Sequence, residues 1–265
     1  MLFRSNQQNW PKMKSLGVLQ FLDRIRREDK VRYVGFSFHD DLHTFRQIVD
    51  AYSWDICQLQ YNFLDEHFQA GRQGVEYAAA RGVGVVAMEP LRGGKLTQGI
   101  PPEVETLWQS TPAWRSPAEW ALRWIWNQPE ISTALSGMSS MEQLKENLPL
   151  ANLLEPPILD EAELELIQRV VQVYRRMLKI QCSTCGYCMP CPTGVNIPVN
   201  FSLYNDAMMF HDAPLSRAIY NHFLAPAQQA VSCAECGKCE PLCPQQIKIP
   251  EELKKVHAQL REPPE

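Results

Sequence analysis

Cysteine is nearly missing from the first two thirds of this chain: of nine cysteines in 265 residues, only Cys57 precedes residue 182. Disulfides therefore cannot staple the body of the fold. Long apolar runs are missing as well. No stretch approaches the roughly 20 residues that span a bilayer, and the N-terminal MLFRSNQQNWPKMK has no apolar core of the export type. No membrane is expected, and the expected location is cytoplasmic. An excess of either charge is also lacking, with 26 Lys and Arg against 30 Asp and Glu. Basic residues do not interleave with aromatics, so nucleic acid is not an expected partner.

What is present is a dense set of eight cysteines between Cys182 and Cys243. The second group, Cys233-x2-Cys236-x2-Cys239-x3-Cys243-Pro244, has the spacing of bacterial two-cluster ferredoxins, in which three thiolates hold one iron-sulfur cube and the fourth holds the other. The first group, Cys182-x2-Cys185-x2-Cys188-x2-Cys191-Pro192, is one residue shorter before its last cysteine. Crossed ligation assigns Cys182, Cys185, Cys188 and Cys243 to one [4Fe-4S] cluster, and Cys233, Cys236, Cys239 and Cys191 to a second. Gly186 and Gly237 sit inside the loops, where a missing Cβ lets backbone amides approach the sulfides. Structural zinc is the competing account, since CxxC pairs also build tetrahedral thiolate sites. Zinc ribbons use two separated knuckles per ion, however, whereas here four close cysteines end in Cys-Pro twice. Cys57, alone in an apolar run, reads as a small core residue.

The two groups belong to an internal repeat, Cys-Pro-x-x-(Val/Ile)-x-Ile-Pro, at 191–198 and 243–250. The segments FSLYNDAMMF and LSRAIYNHFL between the groups look helical, so residues 156–265 are expected to form a mainly α-helical ferredoxin-like iron-sulfur domain. Before it, residues 1–155 alternate helix and strand. Helices are expected at 15–29, after Asp41, at 69–81, from Ser116-Pro117 to about 127, and from a capping box at Ser139–Glu142 to about 151. Strands are expected at 31–37, 55–61, 83–88 and 131–137, and 92–102 reads as a loop. Four βα units make an α/β parallel sheet, the C-terminal half of a (β/α)8 TIM-type barrel. A closed barrel needs about 250 residues. Half of one leaves open edges through which the chain could self-associate.

VRYVGFSFHD, CQLQYNFLD, GVGVVAMEPLRGGKL and SGMSSMEQLKEN, followed by CSTCGYCMPCPTGVNIP, resemble the C-terminal part of the aldo/keto reductase-like oxidoreductases that end in a ferredoxin domain. The resemblance implies an oxidoreductase coupled to electron transfer, with NADP(H) at the mouth of the barrel. It implies Ser37, Gln58 and Met88 at the nicotinamide, Met88 standing where many relatives stack an aromatic. Gly137, Ser139, Gln143 and Asn147 match the adenine-phosphate end, where a capped helix would offer amides to a phosphate. The same stretch read without the resemblance is an ordinary capped helix. The family's catalytic Asp, Tyr, Lys and His lie on its first four strands, so no catalytic residue carries over; the His falls near Phe3. His39 lies at the expected mouth and also fits a polar loop. Expected partners are a redox protein or a small carbonyl substrate. The alternative is an electron carrier on a catalytically silent barrel.

Overall fold

The computed structural model describes residues 2–6, 9–152, 158–182, 184, 186–210 and 213–261, with backbone alone at 2–4. The chain divides into two compact units. One comprises residues 1–98 and 106–169, the other residues 99–105 and 170–265.

In the first unit β1 (Leu2–Ser5), β2 (Gly35–Phe38), β3 (Ile56–Gln60), β4 (Gly84–Met88) and β5 (Ile131–Ala134) form a sheet in sequence order. All four pairings are parallel. Helices α1 (Trp10–Ser15), α2 (Val18–Arg27), α3 (Leu42–Val49), α4 (Gly71–Ala79), α6 (Pro117–Trp126) and α7 (Met141–Leu150) separate and follow the strands, while α5 (Pro102–Gln109) and α8 (Glu161–Met177) each have residues in both units. The expected α/β architecture is therefore present, with several local differences. The helix expected over 15–29 begins only at Val18, because Gly17 adopts φ +76 just before it, and a separate helix, α1, precedes it. The expected loop 92–102 is followed by α5, opened by Pro102 with Glu103 and Glu105 in its first turn. The cap of α7 is Ser140, whose hydroxyl accepts from Gln143 N, and not Ser139. The fifth strand, β1, pairs the backbone of Phe3 with that of Phe36.

The two faces of the sheet differ. Phe36, Phe38, Cys57, Leu59, Val85 and Ala87 are fully buried, and Phe45, Ile48, Trp54, Val75, Trp120 and Trp124 complete this core. Phe36 meets Trp54 with ring centroids 5.0 Å apart, and Trp108 stacks on Trp120 at 5.1 Å. Burial of this face holds the helices on the sheet. The alternating residues Ser37, Gln58, Val86 and Met88 are only half-buried. This is the face that a closed barrel fills with layered side chains.

In the second unit α9 (Ile197–Met209), α10 (Ala213–Ala218) and α11 (Ile249–Leu260) surround a core of Ile180, Val195, Ile197, Phe201, Tyr220, Ile249, Leu253, Val256 and Leu260. Cys182, Cys188, Cys191, Cys233, Cys239 and Cys243 pack at its border. Asn196 caps α9 through Val199 N, and a proline at the second position opens both α9 and α11. No helix among the described residues is long and apolar enough to cross a membrane.

Candidate functional site

The repeat seen in the sequence is a repeat of backbone conformation. Thr184 and Glu235 both take φ +54, and in each case the amide points back to the preceding cysteine sulfur, at 3.4 Å for both Cys182 and Cys233. Gly186 and Gly237 follow at φ +77 and +68. After the last cysteine of each group, Gly194 and Gln246 take φ +86 and +53. The shorter link in the first group passes through a cis Met189–Pro190 peptide.

These turns bring cysteines of both groups together in two cavities. One is lined by Cys182 and Cys188 from the first group and Cys243 from the second, against Ile197, Phe201 and Ile249, and encloses about 20 Å³. The other, of about 130 Å³, is lined by Cys233, Cys236 and Cys239 with Cys191 from the first group, and Cys188 also borders it. Cys185 lies outside the described residues. The thiols of the second cavity sense one another. Burial pushes Cys239 up, its own amide opposes this, and the charges of Cys233, Cys191 and Cys236 add to the rise. Partial burial also pushes Cys191 up, but the Thr193 hydroxyl and the amides of Thr193, Val195 and Gly194 outweigh it and hold the thiol below its ordinary value.

Two asparagines that sequence reading passed over position these loops, both on α9. Asn205, 5% exposed, accepts from the amides of Lys179 and Ile180 and donates to Ile180 O at 2.8 Å, just before Cys182. Asn200, fully buried, donates to Asn196 O and Gln228 O and accepts from Ala230 N, just before Cys233. One helix thus fixes the entry to both groups. Their only sequence signal is a polar residue on the otherwise apolar face of a helix between cysteine motifs. Asn200→Ala and Asn205→Ala are each expected to lower unfolding stability by about 1–3 kcal/mol per buried group left unpaired, and to release bound iron faster. Denaturation and timed iron release to a chelator measure the two effects.

In the first unit, Ser37 and Gln58 are neighbours in register on the half-buried face, and Met88 lies further along, opposite Gln60. Gly137 and Ser139 precede α7, Gln143 lies in its first turn, and Asn147 lies one turn further along. That helix start does not present open amides as expected. Gln143 Oε1 accepts from Ser139 N at 2.8 Å and from Ser140 N at 3.3 Å, while Ser140 Oγ accepts from Gln143 N. The amide of Glu142 bonds its own carboxylate, and this together with the Ser140 hydroxyl lowers the carboxyl's pKa. A phosphate would have to displace these groups, and no cation replaces them at Gly137 or Gln143. Asn147 donates to Ser136 Oγ at 3.4 Å, and its buried Oδ1 has no partner. His39 is half-buried and engaged, while His43 lies beside Gln47 on the surface and His67 is exposed.

The C-terminal ends of β3 and β4 also carry a buried polar cluster that the sequence analysis missed. Asp65 accepts from Gln60 at 2.9 Å and Asn62 at 3.1 Å, and pairs with Arg92 at 3.0 Å. It ties the turn after β3 to the loop after β4, whose Glu89 and Arg92 both take φ +51. The signal for it was Asn62-x-x-Asp65 directly after a strand: the Asn62 side chain accepts from the amides of Leu64 and Asp65, fixing an Asx turn.

Comparison with known proteins agrees with both units. Residues 6–171 match the aldo/keto reductase family, and residues 181–249 match the 4Fe-4S dicluster domain. L-galactose dehydrogenase from Arabidopsis thaliana is 25% identical over 175 residues, covering 59% of this chain and 53% of that protein. The chain thus spans about half the length of the curated relative it matches. The holo and apo structures of an aldo-keto reductase from Bacillus halodurans superpose with a TM-score of 0.51 at 21% identity. They cover 64% of this chain and 58% and 60% of theirs, and they speak for the fold. With well over half of its residues matched, the chain belongs to the aldo/keto reductase family of oxidoreductases and carries a 4Fe-4S domain behind the reductase fold.

Proposed function

We propose that the second unit holds two [4Fe-4S] clusters in crossed ligation, on Cys182, Cys185, Cys188 and Cys243 and on Cys233, Cys236, Cys239 and Cys191. The chain then works as an aldo/keto reductase-type oxidoreductase coupled to one-electron transfer. The observation that carries this reading is the composition of the two cavities, each of which draws its last cysteine from the other group. The second cavity suits the cluster as it stands, whereas the walls of the first must part to admit one. Bound clusters supply reversible storage of single electrons. The chain's own part is to supply thiolates, to direct amides at the sulfurs and to exclude water with the apolar core.

The nicotinamide side of the proposal rests on family membership and on Ser37, Gln58 and Met88. Its phosphate end is weakened by the occupied start of α7. Self-association is part of the same reading, because β1 and β5 each have one edge without a strand partner among the described residues. Sedimentation over a concentration series should therefore show dimers or larger species.

The test is metal and sulfide analysis of anaerobically reconstituted protein. About eight iron and eight acid-labile sulfide per chain are expected for two cubes. Stoichiometric zinc without labile sulfide would overturn the reading.

A further inference from the structure

The two cavities are related by the repeat, yet the repeat is broken where it meets the last cysteine. After Cys191 come Pro192, Thr193 and Gly194; after Cys243 come Pro244, Gln245 and Gln246. Thr193 Oγ1 lies 3.4 Å from Cys191 Sγ. The position that corresponds to Thr193 is Gln245, which has no hydroxyl to give Cys243 and instead lines the first cavity.

The surroundings differ in the same direction. The first cavity is walled by Phe201 and Ile249, each 1% exposed, and shares the buried Ile197 with the second. The second has Cys236 exposed to solvent and Lys238 on its rim. Reduction adds a negative charge to a cluster. Hydrogen bonds to the sulfurs, a nearby cation and access to water all favour the reduced form, while an apolar wall disfavours it.

Resting on the two-cluster reading above, we infer that Thr193 is a positioning residue that raises the reduction potential of the cluster taking Cys191, making it the more oxidising of the two and the one at which an electron comes to rest. With Cys191 bound to the cluster as a thiolate only the Thr193 hydroxyl can donate, so its effect reaches the cluster through Cys191. Because Cys236 is the exposed ligand among the described cysteines, this is also the cluster that we expect solvent and small one-electron reagents to reach first.

The experiment is an equilibrium redox titration of the anaerobically reconstituted full chain, followed by low-temperature EPR, with iron and sulfide measured on every sample. Wild type is expected to show two separate midpoints. Thr193→Val, which keeps the shape and removes the hydroxyl, should shift the higher midpoint to more negative potential and leave the lower one in place. Thr193→Ser should restore it. The reciprocal variant Gln245→Thr should move only the lower midpoint upward, and it guards against loss of cluster in the valine variant. A full complement of clusters with only the lower midpoint moved by Thr193→Val, or with neither moved, overturns the inference while leaving the two-cluster reading intact. Wild type with fewer than two clusters overturns both.

Discussion

Replacing Cys191 by alanine is expected to cut the iron of the reconstituted chain from about eight to about four per molecule, and to remove the cluster built on the distant residues 233–239 rather than the one beside it in sequence. In the second cavity Cys191 stands with Cys233, Cys236 and Cys239, and the charges of Cys191, Cys233 and Cys236 all act on Cys239. In the first cavity the thiol that joins Cys182 and Cys188 is Cys243. Crossed ligation therefore makes a prediction about pairs of variants. Cys191→Ala and Cys236→Ala should leave the same surviving EPR signal, and Cys182→Ala and Cys243→Ala should leave the other. If Cys191→Ala instead matches Cys182→Ala, each group holds its own cluster and the crossed assignment is wrong. A loss of all iron in every variant would count against two independent cubes. The core of Val195, Ile197, Phe201, Leu253 and Val256 does not include the thiols, so the fold has an apolar frame to retain when one of them is removed.

Some of this arrangement was legible in the sequence, for physical reasons. The cysteine spacing marks both groups as cluster-type motifs, and Gly186 and Gly237 marked the tight turns, both of which have positive φ. What could not be read were the left-handed positions filled by side chains, Thr184, Glu235 and Gln246, because residues of these types rarely adopt that conformation. The order of strands and helices followed from periodicity, except at β1, whose LFRS sets two apolar residues before two polar ones and so shows no alternation. The cap of α7 was ambiguous in principle: Ser139–Glu142 and Ser140–Gln143 both satisfy the capping-box pattern, and only geometry selects the second. The same detail alters the functional reading, since the chosen cap turns Gln143 onto the amides that a dinucleotide phosphate would need. At α5 the signal was present and was outweighed. Pro101-Pro102 reads as a loop, whereas proline at the first position followed by two glutamates is also how a helix begins.

No turnover above background is expected when this chain, loaded with its clusters, is given NADPH and a panel of aldehydes and ketones. Hydride transfer to a carbonyl requires a proton donor within reach of the oxygen and a polar pocket for the developing oxyanion. The half-buried face of the sheet offers Ser37 and Gln58 for those roles, neither an acid matched to neutral pH, and His39 just beyond β2 is already engaged in an interaction of its own. The tyrosines with shifted ionisation all move away from proton donation. Tyr52 is pushed up to about 12 by burial and by its 2.6 Å hydrogen bond to Asp23. Tyr61 is pushed up by burial against Trp124, its ring 5.1 Å away, and Tyr220 by burial in the other unit. Tyr77 is held up first by its bond to Asp50. A raised pKa makes each a poorer acid. The start of α7 adds a binding cost, because Gln143 must give up three contacts before a phosphate can take the amides. Electron exchange with a small one-electron dye should persist, since Cys236 is exposed and needs none of these groups. The decisive contrast is between the two assays on one preparation. Dye reduction without carbonyl turnover fits a chain whose working chemistry is one-electron transfer. Carbonyl turnover that disappears in Ser37→Ala or Gln58→Ala would mean that this face supplies a proton donor after all, and the electron-transfer assignment would no longer describe the whole activity.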